Sequence, residues 1–262
     1  MRQSYRSREV VAYDGIRVDL ISEGDGPLVV LLPSRGRDSE DFNDLAAELA
    51  DGGYRVLRPQ PRGAGLSVGP VEGITLRDLA GDVAHIVDRE QAGPAVIAGH
   101  AFGSWVARML ATAHPHLVRG IVLLAAASKS YPPGLREVVD AAGNADLPRE
   151  MRLEALRRGF FLDGHDPQPW LSGWARDAIS TQAIAVAATP QADYWQAGNA
   201  PLLDVIAEHD PFRPRATWEE AKQAFGARVQ RITIPEASHA LIPEQPLAVA
   251  NAMIGWMRRL QP

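Results

Sequence analysis

The sequence predicts an α/β fold, a mostly parallel sheet covered by helices on both faces. Three observations carry this reading. Short apolar runs alternate with amphipathic helical stretches up to about residue 125, and again from about residue 201. One run, Leu28–Leu32, is apolar throughout and bounded by Pro27 and Pro33, as befits a strand buried on both faces. The 262 residues, 46% of them hydrophobic, suit one large domain that carries an insertion.

Each element follows from local chemistry. Val10–Tyr13 and Ile16–Ile21 flank Asp14-Gly15, a hairpin turn signal. After Leu28–Leu32, Ser39 is placed to cap a helix running to Leu49, with Phe42, Leu45, Ala46 and Leu49 on one face. Gly52-Gly53 ends it, and Tyr54–Arg58 is the next strand. Thr75 and Asp78 form a capping-box signature ahead of the stripe Leu76, Leu79, Val83, Ile86 and Val87. A strand over Pro94–Ala98 enters Gly99-His100-Ala101-Phe102-Gly103, which opens a helix to about His114; Val118–Ala125 is the strand beyond.

The alternation breaks near Ser128. Residues 128–200 are helical, irregular and rich in Pro, Gly and Trp, too long for a structureless loop in a compact domain. They read as a helical cap or lid, leaving 1–127 and 201–262 as the core domain. Phe160, Phe161, Trp170, Trp174, Tyr194 and Trp195 are expected either to line a substrate pocket or to glue the cap down; Phe161, Trp170, Trp174 and Trp195 are the foremost pocket candidates. Strands over Leu202–Glu208 and Val229–Ile234 and a last helix over Pro246–Leu260 resume the rhythm.

Composition narrows the function. Net charge is −5 without clusters of Lys and Arg, which argues against nucleic acid as a partner. Absence of Cys excludes disulfides, thiolate metal sites and a Cys nucleophile, and favours a cytoplasmic setting. No stretch approaches the ~20 apolar residues of a membrane helix, so no membrane partner is expected, and the N-terminus lacks the apolar core of a signal peptide. Arg2, Arg6 and Arg8 read as a solvated, frayed terminus. His114, His116 and His165 have no metal-ligand spacing, and the phosphate-binding Gly-x-x-x-x-Gly-Lys pattern is missing. The expected partner is a small-molecule substrate, with no cofactor and no metal; oligomeric state is not legible, and a homodimer stays open.

Chemistry concentrates at three places. Strand, glycine turn and helix around Gly99–Gly103 form the context of a nucleophile elbow, G-x-S-x-G, with both glycines present and Ala101 where the serine would stand. Asp210 follows the strand ending at Glu208, and His239 follows the one ending at Ile234. Parallel strands bring those exits together at the carboxyl edge of the sheet. There Asp210 would orient His239 and stabilise its protonated form, leaving the other ring nitrogen to face position 101. His100 reads as a packing residue, Ser104 as a helix cap and His85 as a surface residue.

These features resemble the α/β-hydrolase superfamily along nearly the whole chain: Leu31-Leu32-Pro33-Ser34-Arg35-Gly36, Pro61-Arg62-Gly63-Ala64-Gly65-Leu66-Ser67, Gly99–Gly103, Asp210, His239 and Pro243-Glu244-Gln245-Pro246. The resemblance implies an eight-stranded, mostly parallel sheet with a helical cap. It also implies oxyanion donors from the backbone N–H of Arg35 (or Ser34) and of Phe102. The sequence departs from the pattern twice, with Pro33-Ser34 for the usual His-Gly and with Ala101 for the nucleophile. Relatives that cleave epoxides or haloalkanes carry Asp at that position, which is also missing. Arg35 has a second reading as a clamp for an anionic substrate.

Three functions stay open on this reading. The first is a hydrolase of an ester, lactone, amide or C–C bond in a small, partly apolar substrate, inactive because Ala101 replaces serine. The second is an enzyme native with Ala101 that uses His239 and Asp210 as a general base without a covalent intermediate, of lyase, isomerase or cyclase, or cofactor-free oxygenase type. The third is a non-catalytic ligand-binding homologue.

Overall fold

A computed structural model of the chain describes residues 6–130 and 132–260. Eight strands form one sheet: β1 (Ser7–Tyr13), β2 (Ile16–Glu23), β3 (Leu28–Leu32), β4 (Arg55–Pro59), β5 (Ala95–His100), β6 (Val118–Leu124), β7 (Leu202–Ala207) and β8 (Val229–Ile234). Their order is β1-β2-β4-β3-β5-β6-β7-β8. β2 runs antiparallel to β1 and β4, and all other pairs are parallel. The carboxyl ends of β3, β5, β7 and β8 therefore share one edge.

Helices cover both faces, because β3, β5, β6 and β7 offer buried side chains on each side. α1 (Asn43–Asp51) and the C-terminal α10 (Pro246–Met257) pack Leu45, Leu49, Val249 and Met253 on one face. α2 (Leu76–Glu90) and α3 (Gly103–Ala113) pack Leu79, Val83, Met109 and Leu110 on the other. The capping box of α2 forms as its sequence predicts: Asp78 accepts from the Thr75 N–H at 2.8 Å, and Thr75 Oγ1 accepts from the Asp78 N–H at 3.4 Å. Short α8 (Glu220–Phe225) and α9 (Leu241–Glu244) complete the C-terminal part. Among the described residues, no helix is long and apolar enough to cross a membrane.

Two terminus and cap readings are corrected. Arg2 lies outside the described residues, but Arg8 is not frayed. It belongs to β1 and holds the buried Asp19 with two hydrogen bonds, at 2.7 and 2.8 Å, while Arg6 and Arg8 both pair with Glu40. Ser39 does not cap α1. Asp38, one residue earlier, accepts from the Glu40 N–H and opens a 3-10 turn over Ser39–Phe42 that leads into α1; Ser39 is buried and donates to the Arg58 carbonyl.

Between β6 and β7 lie α4 (Leu135–Gly143), α5 (Arg149–Gly159), α6 (Arg176–Ala187) and α7 (Gln191–Trp195). One buried arginine ties this insertion to the loop after β3. Arg37, 1% exposed, donates to both carboxylate oxygens of Asp41 and to the carbonyls of Trp170 and Ser172. Its guanidinium also lies 4.4 Å from the Trp170 ring centroid and 4.8 Å from that of Trp174. Backbone bonds from Asp38 to Gly173 and from Ala175 to Gly36 close the same seam.

Candidate active site

At the exit of β5 only Ala101 and Phe102 separate strand from helix. The turn is forced by close packing. A Cβ on Gly99 would collide with the Gly103 backbone, and one on Gly103 with the carbonyl of Leu32. Ala101 takes a φ of 47°, in the left-handed region that a side chain disfavours, while its N–H donates to the Leu124 carbonyl. Ser104 lies buried in the first turn of α3 and donates from Oγ to the Ala101 carbonyl at 2.6 Å. It is not the acceptor cap that its position suggests, because its hydroxyl closes the elbow instead.

At the exits of β7 and β8, side chains hold the chain. Nδ1–H of His239 donates to both Asp210 oxygens at 3.1 Å, across 29 residues of sequence. The carboxylate only accepts, so the tautomer follows and Nε2 is left as the acceptor. Asp210 also accepts from the Phe212 N–H at 2.8 Å. The His239 ring sits 4.3 Å from the Phe212 ring and 5.5 Å from Phe160, measured between centroids. Glu244 anchors the loop below, accepting from the Ser238 N–H and, from the insertion, the Leu162 N–H, each at 2.6 Å. Burial pushes its carboxyl above the usual range.

His100 does more than pack. It is fully buried, and burial, with His239 adding to it, pushes its pKa down to about 3. The neutral ring donates from Nε2 to the His239 backbone carbonyl at 2.8 Å, so the strand that leads into the elbow also pins the histidine loop. His85 is half-buried and stacked on Tyr13 with 3.7 Å between centroids, not a plain surface residue.

A cavity of about 260 Å³ joins the two regions. Ala101, His239, Ser34, Arg35 and Phe102 all contribute to its wall. Asp210 stands behind His239 with its side chain fully buried. The rest of the wall is mainly apolar, from Trp105, Ala127, Val139, Phe160, Ala183, Val186 and Phe212. Among the described residues no three His, Asp or Glu side chains converge on a metal position.

The four aromatic pocket candidates lie elsewhere. Phe161 and Trp170 pack edge to face inside the insertion, 5.3 Å between centroids. Trp170 and Trp174 both lie against the Arg37 guanidinium, and Trp174 faces a separate hollow beside Val139 and Ile179. Trp195 covers Arg108, 4.4 Å from guanidinium to ring. The arginines explain the difference: each of Trp170, Trp174 and Trp195 shields a buried cation rather than lining the cavity. Trp105, Phe212, Arg136 and Gln182 line the cavity without having been expected there. Only Phe212 had a signal, two residues after Asp210; Gln182, Ala183 and Val186 share one face of α6, a periodicity hidden by the run of alanines.

Known proteins agree with this architecture. A deacetylase of Xenorhabdus hominickii that acts on pyrrolizixenacetamide is 30% identical over 165 residues, 63% of this chain and 60% of its own length. The chain thus spans about three fifths of that relative. An epoxide hydrolase of Caballeronia sordidicola is 25% identical over 221 residues, 80% of this chain and 61% of its own. The enol-lactonase of Burkholderia xenovorans LB400 superposes with a TM-score of 0.80 at 20% identity, covering 96% of this chain and all of the other, a likeness of fold. A family model described as the alpha/beta hydrolase family matches residues 29–252, and with the sheet order and elbow above, this chain belongs to that family.

Proposed function

We propose that position 101 is the nucleophile position of an acyl hydrolase, and that with alanine there the chain binds its substrate without turning it over. The substrate is a small, partly apolar ester, lactone, amide or C–C-cleavable ketone, matched to the mainly apolar cavity. The carrying observation is the elbow. Two glycines that tolerate no Cβ hold Ala101 in a left-handed conformation on the wall that His239 shares. A turn with no side chain to present would be met more readily by glycine at 101. In this reading residues 128–200 act as the cap.

The chemistry follows from the residues present. A serine at 101 would attack the substrate carbonyl carbon as its proton passes to Nε2 of His239. Asp210 would stabilise the imidazolium, and the backbone N–H groups of Phe102 and Arg35 (or Ser34) would stabilise the oxyanion. The leaving group would depart with the proton from His239, and water activated by the same nitrogen would release the acid. Loss of such a nucleophile costs on the order of 10⁶ in kcat while binding survives. Ala101→Ser is therefore expected to raise hydrolysis of p-nitrophenyl acetate by several orders of magnitude; an unchanged rate overturns the proposal.

A second reading is supported by the completeness of the His239 setting: tautomer, ring plane and backbone are all held although no serine stands beside it. His239 would then take a proton directly from substrate or from water. This reading expects native turnover that His239→Ala abolishes and that Ala101→Ser leaves unchanged or lowers.

A further inference from the structure

Gln182 is the buried polar group in the cavity wall that the reaction above does not use. It sits on α6 and is 2% exposed. Its Oε1 accepts from the Gly36 N–H at 2.7 Å. Gly36 permits this approach: its φ is 70°, and a Cβ there would strike Ile179 of the same helix. A backbone N–H bonds only the oxygen of a carboxamide, so the amide cannot be turned over and Nε2 is directed away from the loop. No residue of the described chain accepts from Nε2, yet it is not among the sealed, partnerless polar atoms of the described interior. Gln182 borders this cavity and also a hollow of about 40 Å³ beside Arg62 and Asp82; in a side chain this buried the nitrogen is reached through one of the two, and only the larger admits a substrate. The wall also carries Arg35 and Arg136 and no Asp or Glu. Arg35 pairs with the half-exposed Asp140 at 3.2 Å, and among the described residues Arg136 has no ion-pair partner.

We infer that Gln182 determines substrate specificity: its Nε2 donates to a carboxylate oxygen on the acyl part of the substrate, with Arg136 completing the anionic subsite. The substrates this selects are carboxylate-bearing acyl compounds, such as half-esters of dicarboxylic acids. The inference rests on the cavity being the substrate site, but not on the identity of the nucleophile.

Binding to the native Ala101 protein tests it without turnover. Monomethyl glutarate and its uncharged near-isostere methyl pentanoate are titrated at pH 7.5, with quenching of tryptophan fluorescence or heat as readout. Native protein is expected to bind the half-ester about tenfold or more tightly than the isostere, since a hydrogen bond to a charged acceptor carries that much discrimination. Gln182→Glu keeps the acceptor for Gly36 and replaces the donor by a repelling oxygen. It should lose about tenfold or more for the half-ester, leave the isostere within about twofold, and melt within a few degrees of native protein. Gln182→Met, without either function, should lose the preference but not reverse it. Failure of the half-ester to bind, equal affinity of both ligands for native protein, or equal losses for both in Gln182→Glu would each overturn the inference. If the preference holds while Ala101→Ser stays inactive, the nucleophile reading fails and this one stands.

Discussion

At the exit of β5 the chain is shaped by backbone; at the exits of β7 and β8 it is shaped by side chains. The elbow depends on two glycines, a left-handed residue and a bond from the Ala101 amide to the next strand, none of which needs a particular group on residue 101. The opposite wall depends on Asp210, Glu244 and the His100 ring, whose hydrogen bonds tie the loops after β7 and β8 to each other, to the insertion and to β5. The difference teaches that chemistry at 101 is exchangeable at small structural cost, whereas chemistry at 210 and 239 is not. Substitutions on each side test that asymmetry.

The largest effect is expected from Asp210→Asn in the Ala101→Ser protein. An amide that also accepts from Phe212 cannot hold the same His239 tautomer and charge, and kcat for an activated ester should fall by about 10⁴. A fall below tenfold would mean that His239 is oriented by its packing between Phe212 and Phe160 alone.

Next is the seam between core and insertion. Arg37→Met removes the partner of Asp41, whose own carboxyl burial already pushes up, takes the donor from the Ser172 carbonyl and leaves the Trp170 carbonyl with Trp174 Nε1 alone. Breaking a buried pair from one side destabilises by about 3–5 kcal/mol. Urea unfolding followed by tryptophan fluorescence should record that loss. Limited proteolysis should then cut within 128–200 before the sheet unfolds. Resistance equal to that of the native protein would place the anchoring of the insertion elsewhere.

Legibility divides along the same lines. Strands, the Thr75 box and the glycine elbow were readable because local periodicity and turn chemistry decide them. The exits of β7 and β8 were readable because parallel topology brings them to one edge. The aromatic residues of 128–200 were not. Their identity says they are buried, but whether Trp170 faces a cavity or a cation depends on Arg37, 133 residues away. Gln182 was equally hidden, since its partner is a backbone amide 146 residues distant. Ser39 and Asp38 are both competent caps one residue apart, and the buried bond of Ser39 to Arg58 decided between them.

His100 offers a smaller, pH-dependent test of the side-chain wall. In the unfolded chain it titrates near the ordinary 6.5, and in the folded protein it stays neutral until about 3. The unfolded state therefore binds the proton first. The stability this residue contributes is complete above pH 6.5 and falls as pH drops towards 3, by about 1.4 kcal/mol per unit. His100→Gln keeps a donor for the His239 carbonyl and does not titrate. Between pH 6 and 4 the native protein should lose urea stability more steeply than the variant, and parallel curves would contradict a buried, neutral ring.

The smallest effect lies at position 101 itself. A φ of 47° costs an alanine about 1–2 kcal/mol relative to its ordinary conformations, whereas glycine adopts it freely. Glycine gives back roughly 0.4–1 kcal/mol through the greater freedom of the unfolded chain. Ala101→Gly should therefore raise the melting temperature slightly, by about 2 °C for a chain of this size. A small rise, with Ala101→Ser melting close to the native protein, would locate the elbow's strain at residue 101 and its support in Gly99, Gly103 and the Leu124 carbonyl. A fall on introducing glycine would mean that the methyl group of Ala101 packs in the cavity wall and stabilises the turn it strains, and the contrast between a backbone-built and a side-chain-built wall would have to be given up.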